Sequence, residues 1–381
     1  MRDLFLLDPT ITFLNHGSFG ACPREVLEVQ QALQREMEGN PVAFLARESG
    51  SRLLEARERL ADHLGARGQD VIFLPNTTHG VNTAARSLEL RQGDEVLSTD
   101  HEYGACDATW AWVCARSGAR YHRVEVPLPF QAATFADRIW AEVGPRTRVL
   151  FLSHLTSTTA LTFPLAELCR RARAAGILTV IDGAHIPGQR TLDLDALGAD
   201  LYTGNCHKWL CAPKGAAFLH ARPEHHGWLE AGAISWGYHE ALGNASYTGT
   251  SPLERRLQWQ GTRDLTPFLA VPAAIAFQAR HDWAAVRGRC HALAQETLIR
   301  MGELTGLEPV SQPEDFAQMV AIPVPAMEAC ELKDRLLSTY RIEIPVTQHR
   351  DQLFVRLSIQ AYNTSAEAEA LVEALRTIFR L

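Results

Sequence analysis

Lysine is scarce in this chain of 381 residues. Of its 37 basic residues, 34 are arginine and three are lysine, so a reaction that needs a lysine amine can draw only on Lys208, Lys214 or Lys333. Long apolar runs are also missing, since no stretch approaches the roughly 18 apolar residues of a membrane span. The N-terminus has no signal-peptide pattern. We therefore expect a cytoplasmic protein with no membrane contact.

The motifs of several ligand classes are absent as well. No CxxC pair occurs among the eight cysteines, so we predict neither a metal site nor a disulfide framework. No GxGxxG follows a predicted strand, which argues against a nicotinamide-dependent enzyme. A net charge of −7 disfavours nucleic-acid binding.

Hydrophobic patterning predicts an α/β fold. Apolar runs at 71–74, 148–152 and 178–181 alternate with segments of helical period, which is typical of a parallel sheet covered by helices on both faces. After about residue 263, helical segments precede three short strands and a last helix that begins near Thr364. This second pattern predicts a smaller α+β domain.

Polar groups stand at the carboxyl ends of these strands, where open parallel sheets bind ligands. Asp182 ends an apolar strand, and a buried carboxylate there needs a cation. Lys208 follows another strand beside apolar neighbours, and desolvation would lower the pKa of its amine and make it a nucleophile. Asn76, Thr77 and Thr78 open a helix, and a helix N-terminus binds anions.

Each of these features also has a purely structural interpretation. Asp182 could cap a turn, Lys208 could be a solvated charge, and Asn76 could be a routine helix cap. Taken together, they match the needs of pyridoxal 5'-phosphate (PLP): a lysine for the Schiff base, a carboxylate for the pyridinium nitrogen and a cup for the phosphate.

The chain resembles the class V aminotransferases, a family of fold-type I PLP enzymes that includes the cysteine desulfurases. Within that family it is most similar to the isopenicillin N epimerase-like branch. The resemblance extends from residue 13 to residue 364 and rests on the segments 13–20 (FLNHGSFG), 76–78 (NTT), 101–105 (HEYGA), 182–185 (DGAH), 204–209 (GNCHKW), 260–264 (QGTRD), 356–358 (RLS) and 362–364 (YNT).

The resemblance implies a fold and a domain plan. We expect a large PLP-binding domain over 23–262, with a mostly parallel seven-stranded sheet covered by helices. A smaller C-terminal α+β domain would follow over 263–381. Residues 1–22 would form an N-terminal segment that packs with the small domain.

The resemblance also implies roles for the catalytic and cofactor-binding residues. Lys208 would form the Schiff base (the internal aldimine), Asp182 would keep the ring nitrogen protonated, Tyr103 would stack on the ring, and His185 would hydrogen-bond the 3-hydroxyl. Core packing is the structural alternative for His185. The phosphate would be held by Asn76, Thr77, Thr78, Asn205 and His207.

Two further implications concern the partner subunit and the substrate. Thr262 would reach the phosphate of the neighbouring subunit, which implies a homodimer with shared active sites, although Thr262 could simply be a turn residue. Arg356 would grip the α-carboxylate of an amino acid in a bidentate fork, its alternative being a salt bridge on a strand. The lesser substrate contacts would be Asn15, His16, Ser157 and Arg47.

The implied reaction begins with removal of the α-proton by Lys208 and passes through a quinonoid intermediate. Epimerisation, transamination and β- or γ-elimination all use these residues, so the three outcomes stay open at this point. Desulfurases carry a nucleophilic cysteine on a loop before the substrate-binding arginine, whereas residues 344–352 contain none. A persulfide-forming desulfurase is therefore disfavoured.

Overall fold

The computed structural model describes residues 1–239 and 248–381. Its largest element is a seven-stranded sheet whose strands are β2 (Val71–Leu74), β3 (Glu95–Thr99), β4 (Arg120–Val124), β5 (Thr147–Ser153), β6 (Leu178–Asp182), β7 (Leu201–Asn205) and β8 (Ala217–Ala221). They are arranged in the order β2-β8-β7-β6-β5-β3-β4.

The sheet is mostly parallel, as predicted. Strands β4, β3, β5, β6 and β7 pair in parallel, and β8 runs antiparallel to both β7 and β2. Every residue of β2, β3, β7 and β8 is buried. Phe73 belongs to one hydrophobic core, and its neighbours Ile72 and Leu74 belong to the other. Burial on both faces explains why these strands have no polar alternation.

Helices from the first half of the chain cover the sheet and lead into it. They are α1 (His16–Phe19), α2 (Arg24–Gly39), a π-helix (Ala43–Glu48), α3 (Ser49–Leu64), α4 (Thr77–Ser87), α5 (Gly104–Ser117), α6 (Ala132–Ala141), α7 (Ala166–Ala175) and α8 (Leu194–Leu197). Helix α7 ends where the sequence predicted, because Gly176 adopts a left-handed conformation at its C-terminus.

The later part of the chain forms a second α+β unit. The helices of this part of the chain, within the described residues, are α9 (Pro252–Leu257), which packs against β2 of the large sheet, and α10 (Thr266–Leu269), α11 (Val271–Arg280), α12 (Trp283–Thr305), α13 (Ala329–Tyr340) and α14 (Ser365–Phe379). Its strands are β9 (Met319–Val324), β10 (Ile342–Glu343), β11 (Val346–His349) and β12 (Gln352–Ser358). The order β11-β12-β9 makes an antiparallel sheet. Helix α14 begins with the predicted capping box of Thr364 and Glu367.

The N-terminal residues contact this second unit. Strand β1 (Thr12–Phe13) pairs in parallel with β10, and the Arg2 guanidinium lies 2.8 Å from the Glu367 carboxylate. These contacts agree with the expected packing of the N-terminal segment, while the domain boundaries stay a prediction. Among the helices of the described ranges, none is long and apolar enough to cross a membrane.

Candidate active site

A cavity lies at the carboxyl ends of β5, β6 and β7. This position is the one expected for a ligand site on an open parallel sheet. Ten of the predicted site residues line the cavity: Asn76, Thr77, Thr78, Tyr103, Ser157, Asp182, His185, Asn205, His207 and Lys208.

The Lys208 amine lies inside this cavity, 3.2 Å from His185 Nε2. Burial, with a smaller effect of the Arg356 charge, lowers the pKa of Lys208 to about 7. The desolvation expected from the sequence is therefore present. A large fraction of the amine is unprotonated at neutral pH, which is the state that attacks an aldehyde or accepts a proton.

The tautomer of His185 follows from its second contact. The Trp209 indole N–H donates to His185 Nδ1 over 3.2 Å, so Nδ1 must be an acceptor. Burial and the Lys208 charge lower the pKa of His185, and the neutral ring then carries its proton on Nε2. That N–H points at the Lys208 amine, so the histidine is an oriented donor at the cavity wall.

Asp182, the last residue of β6, is buried. The Ala184 backbone N–H donates to its Oδ1 over 2.9 Å, and the Cys106 thiol donates to its Oδ2 over 3.4 Å. Burial raises the pKa of Asp182, while the Ala184 N–H and the Lys208 charge lower it. The carboxyl group thus makes the turn contact that its structural interpretation required and also faces the cavity.

The residues of the predicted anion cup lie at the N-terminus of α4 and line the cavity. The Asn76 side chain accepts a hydrogen bond from the His79 N–H at 2.8 Å and is used as the helix cap. The Thr77 backbone N–H donates to Asn205 Oδ1 over 3.0 Å. The Thr77 hydroxyl is buried and has no hydrogen-bond partner within the described part of the chain. A phosphate oxygen is a suitable partner for that hydroxyl.

His207 and Tyr103 complete the cavity wall. His207 Nδ1 lies 2.9 Å from the Ala216 carbonyl oxygen, and burial lowers the pKa of the ring to about 4. The neutral ring therefore donates from Nδ1. Tyr103 stands at the N-terminus of α5, and 47% of its surface is exposed. Its ring is available to contact a bound ligand.

Arg356 lies beside the cavity, in contact with two serines of its wall. Its guanidinium donates to the Ser157 carbonyl oxygen over 2.7 Å, to Ser157 Oγ over 3.1 Å and to Ser18 Oγ over 3.1 Å. Both serines line the cavity. Sequence analysis did not select Ser18, although it belongs to the 13–20 segment.

His16, predicted as a lesser substrate contact, is fully buried and does not line the cavity. The Ala21 N–H donates to His16 Nδ1 over 3.3 Å, and the Tyr362 hydroxyl lies 2.9 Å from the same atom. Nδ1 is therefore an acceptor, so Nε2 carries the proton and donates to the Lys208 carbonyl oxygen over 3.0 Å. His16 thus holds the backbone of Lys208, and its contact with a substrate stays a prediction.

Three other predicted residues also lie outside the cavity lining. The Asn15 amide donates to Glu343 over 3.3 Å, which ties the N-terminal segment to β10 instead of reaching a substrate. Arg47 is exposed in the π-helix, away from this chain's cavity. Thr262 is exposed as well; its predicted contact is with a partner subunit, and it stays a prediction.

Glu102 lies next to the cavity wall, and its sequence position did not predict this. Its buried carboxyl group receives hydrogen bonds from Thr99 Oγ1 at 2.7 Å and Ser153 Oγ at 2.5 Å, and Ser153 lines the cavity. Burial raises the pKa of Glu102 to about 8. The only sequence signal for it was its place beside Tyr103 in the 101–105 segment.

Comparisons with known proteins agree with this geometry. The profile of the family described as Aminotransferase class-V matches residues 13–371. The isopenicillin N epimerase of Amycolatopsis lactamdurans is 40% identical over 99% of this chain and 97% of its own length. A putative L-cysteine desulfhydrase of Oryza sativa subsp. japonica is 29% identical over 96% of this chain and 82% of its own length.

A solved structure shows the same fold. A lysine variant of C-DES, with glycine covalently linked to its PLP cofactor, superposes with a TM-score of 0.83. The two chains are 22% identical, and the match covers 98% of each. The likeness therefore extends over both the seven-stranded sheet and the smaller C-terminal sheet.

Proposed function

Because this chain belongs to the class V aminotransferase family of PLP-dependent enzymes, we propose that it inverts the α-carbon of an amino acid substrate. The observation that carries the proposal is the Lys208 amine, which lies in the cavity with its pKa lowered to about 7. An amine of that pKa can both accept and return a proton at neutral pH.

The residues present fit the cofactor. Lys208 would hold its aldehyde carbon, Asp182 would face its ring nitrogen, and the N-terminus of α4 would receive its phosphate. The unpartnered, buried hydroxyl of Thr77 supports this placement, because such a group is costly unless a ligand satisfies it. The bound cofactor supplies an electron sink for the substrate α-carbon.

Proton transfer would depend on two groups of this chain. Lys208 would remove the α-proton, and the His185 N–H, 3.2 Å away, would orient the amine. Arg356, braced by Ser18 and Ser157, would fix the substrate α-carboxylate. A fixed carboxylate keeps the α-carbon within reach of the amine during the step.

Inversion needs a second proton carrier, and we assign that role to Tyr103. Its phenol lines the cavity and interacts electrostatically with the Arg356 guanidinium, so it would stand close to a carboxylate held there. His185 is less suitable because both of its ring nitrogens are engaged, by Trp209 and Lys208.

Two observations favour epimerisation over the alternatives. The epimerase relative is 40% identical, against 29% for the desulfhydrase relative. Residues 344–352 also lack the cysteine of a persulfide-forming enzyme. Elimination at a C–S bond is the second candidate, since desulfhydrase relatives match 96% and 98% of this chain. Transamination is the third.

Incubation of the holoenzyme with isopenicillin N and a panel of L-amino acids in D₂O tests the proposal. We expect deuterium at the α-carbon together with inverted configuration, and neither keto acid nor sulfide. Tyr103→Phe should keep exchange from one face while losing inversion. Stoichiometric keto acid or sulfide from the wild-type enzyme would overturn the epimerase assignment.

We also propose a homodimer in which Thr262 completes the phosphate site of the partner. The exposure of Thr262 outside its own chain's cavity supports this role. An isologous interface would give two equivalent shared sites. Thr262→Ala should then weaken cofactor binding by about 1.5–3 kcal/mol, the contribution of a charge-assisted hydrogen bond. A monomer by light scattering that holds stoichiometric cofactor would contradict the shared site.

A further inference from the structure

The carboxylate of Asp182 has one side-chain hydrogen-bond donor among the described residues, and that donor is a thiol. Cys106 Sγ lies 3.4 Å from Asp182 Oδ2, while Oδ1 is held by the backbone of Ala184. The Cys106 side chain is 1% exposed. The two oxygens of Asp182 therefore have separate donors, one from the turn after β6 and one from helix α5.

Helix α5 places the Cys106 thiol beside the Asp182 carboxylate, where the thiol acts as a hydrogen-bond donor. Cys106 lies in the first turn, where its backbone N–H bonds the Tyr103 carbonyl oxygen over 2.8 Å. Burial, and then the Asp182 charge, raise the pKa of the thiol far above its ordinary value, so the sulfur keeps its proton. A protonated thiol beside a carboxylate is a hydrogen-bond donor.

The other charged and polar side chains around Asp182 in the described residues do not hydrogen-bond its carboxylate. Tyr202 and Glu102 are both buried nearby, and both interact electrostatically with Asp182. Neither contributes a hydrogen bond to its carboxylate in the described chain, and Glu102 is held by Thr99 and Ser153 instead. Lys208 contributes charge only. Rotation of the carboxylate is thus restrained at Oδ2 by the thiol alone.

We propose that Cys106 is a positioning residue that holds Asp182 Oδ2 in the orientation in which the carboxylate meets the cofactor ring nitrogen. This role rests on the proposed function of Asp182. The contact that supports this role joins β6 and α5. It depends on the hydrogen of the thiol and not on the volume of the side chain.

Cys114 provides a matched control for the loss of side-chain volume in Cys106→Ala. It lies on the same helix, is also buried, and belongs to the same hydrophobic cluster as Cys106. Cys114→Ala and Cys106→Ala therefore each remove one sulfur atom from the same hydrophobic cluster. Only Cys106→Ala removes a hydrogen-bond donor to Asp182, and Cys106→Ser restores a donor.

The test measures the holoenzyme by cofactor affinity and by pH titration of the visible cofactor absorbance. Cys106→Ala should weaken PLP binding about two- to tenfold, the range for loss of one hydrogen bond. The midpoint of its absorbance titration should move to higher pH. With less positive charge on the ring nitrogen, the cofactor binds more tightly the proton whose loss changes the absorbance. Cys106→Ser should lie closer to wild type, and Cys114→Ala should match wild type in both measurements.

Two results would overturn the role of the thiol. One is an absorbance midpoint in Cys106→Ala equal to that of the wild type. The other is a midpoint shift in Cys114→Ala as large as that in Cys106→Ala, which would indicate a general packing effect. Failure of the wild-type protein to bind PLP would instead overturn the role of Asp182 itself. The difference in midpoint between Cys106→Ala and Cys114→Ala separates loss of the donor hydrogen from a change in packing.

Discussion

Replacing Lys208 by methionine should stabilise the cofactor-free protein. The pKa of the Lys208 amine falls from 10.5 to about 7 on folding, so burial of its charged form opposes folding. At about 1.36 kcal/mol per pKa unit, the full shift corresponds to about 4–5 kcal/mol. Water in the cavity reaches part of the side chain, so we expect a gain of about 2–4 kcal/mol at pH 7 for Lys208→Met.

The sign of the pH dependence follows from proton uptake. Between about pH 7 and 10.5 the unfolded chain protonates this lysine while the folded chain does not. Stability of the wild-type apoprotein from this group therefore rises with pH across that window. The advantage of Lys208→Met should shrink by about 1 kcal/mol per pH unit and vanish near the upper limit.

Urea unfolding of the two apoproteins at several pH values between about 7 and 10 measures this difference. Other titrating groups are common to both proteins, so they cancel. Lys333→Met, at an exposed position of α13, is the control for replacing a lysine by methionine outside the cavity. A constant Lys208→Met difference, or a wild type that is more stable at pH 7, would refute the buried-amine interpretation.

Three further changes test other parts of the site. Arg356→Lys should lower kcat/KM by about 10- to 150-fold, because a bidentate, charge-assisted contact of about 1.5–3 kcal/mol is lost; steady-state kinetics measure it, and an unchanged value would contradict the assignment. Asp182→Ala should slow α-proton exchange far more than it weakens cofactor binding, and wild-type exchange by NMR would reject its role. Gly80→Ala should cost about 1–3 kcal/mol, because the new Cβ would lie 2.1 Å from Thr203 Oγ1; Thr203→Ala should recover part of that cost in urea unfolding, and a neutral Gly80→Ala would contradict the close packing.

The strand-end residues were predictable because local pattern determines both their position and their neighbours. Asp182 and Asn205 each end a buried strand, and parallel strands bring their carboxyl ends to one edge. The fold class followed from the same apolar runs. Lys208 was identified more easily still, because the chain has so few lysines.

The position of His16 could not be predicted from its own segment. Its motif shows a polar residue near the site, but its burial depends on Tyr362, 346 residues away in the sequence, and on the Lys208 carbonyl oxygen. Arg356 presents the same difficulty, since its place beside the cavity depends on tertiary contacts with Ser18 and Ser157. Long-range contacts of this kind leave no periodic signal in a single sequence.

The pairing of β1 with β10 has a consequence for the order of events during synthesis. Asn15 meets Glu343, 328 residues later, and Arg2 meets Glu367, 365 residues later. The N-terminal segment must therefore remain without these native partners until synthesis has passed residue 367. His16 likewise lacks its contact with the Tyr362 hydroxyl until that part of the chain has been made.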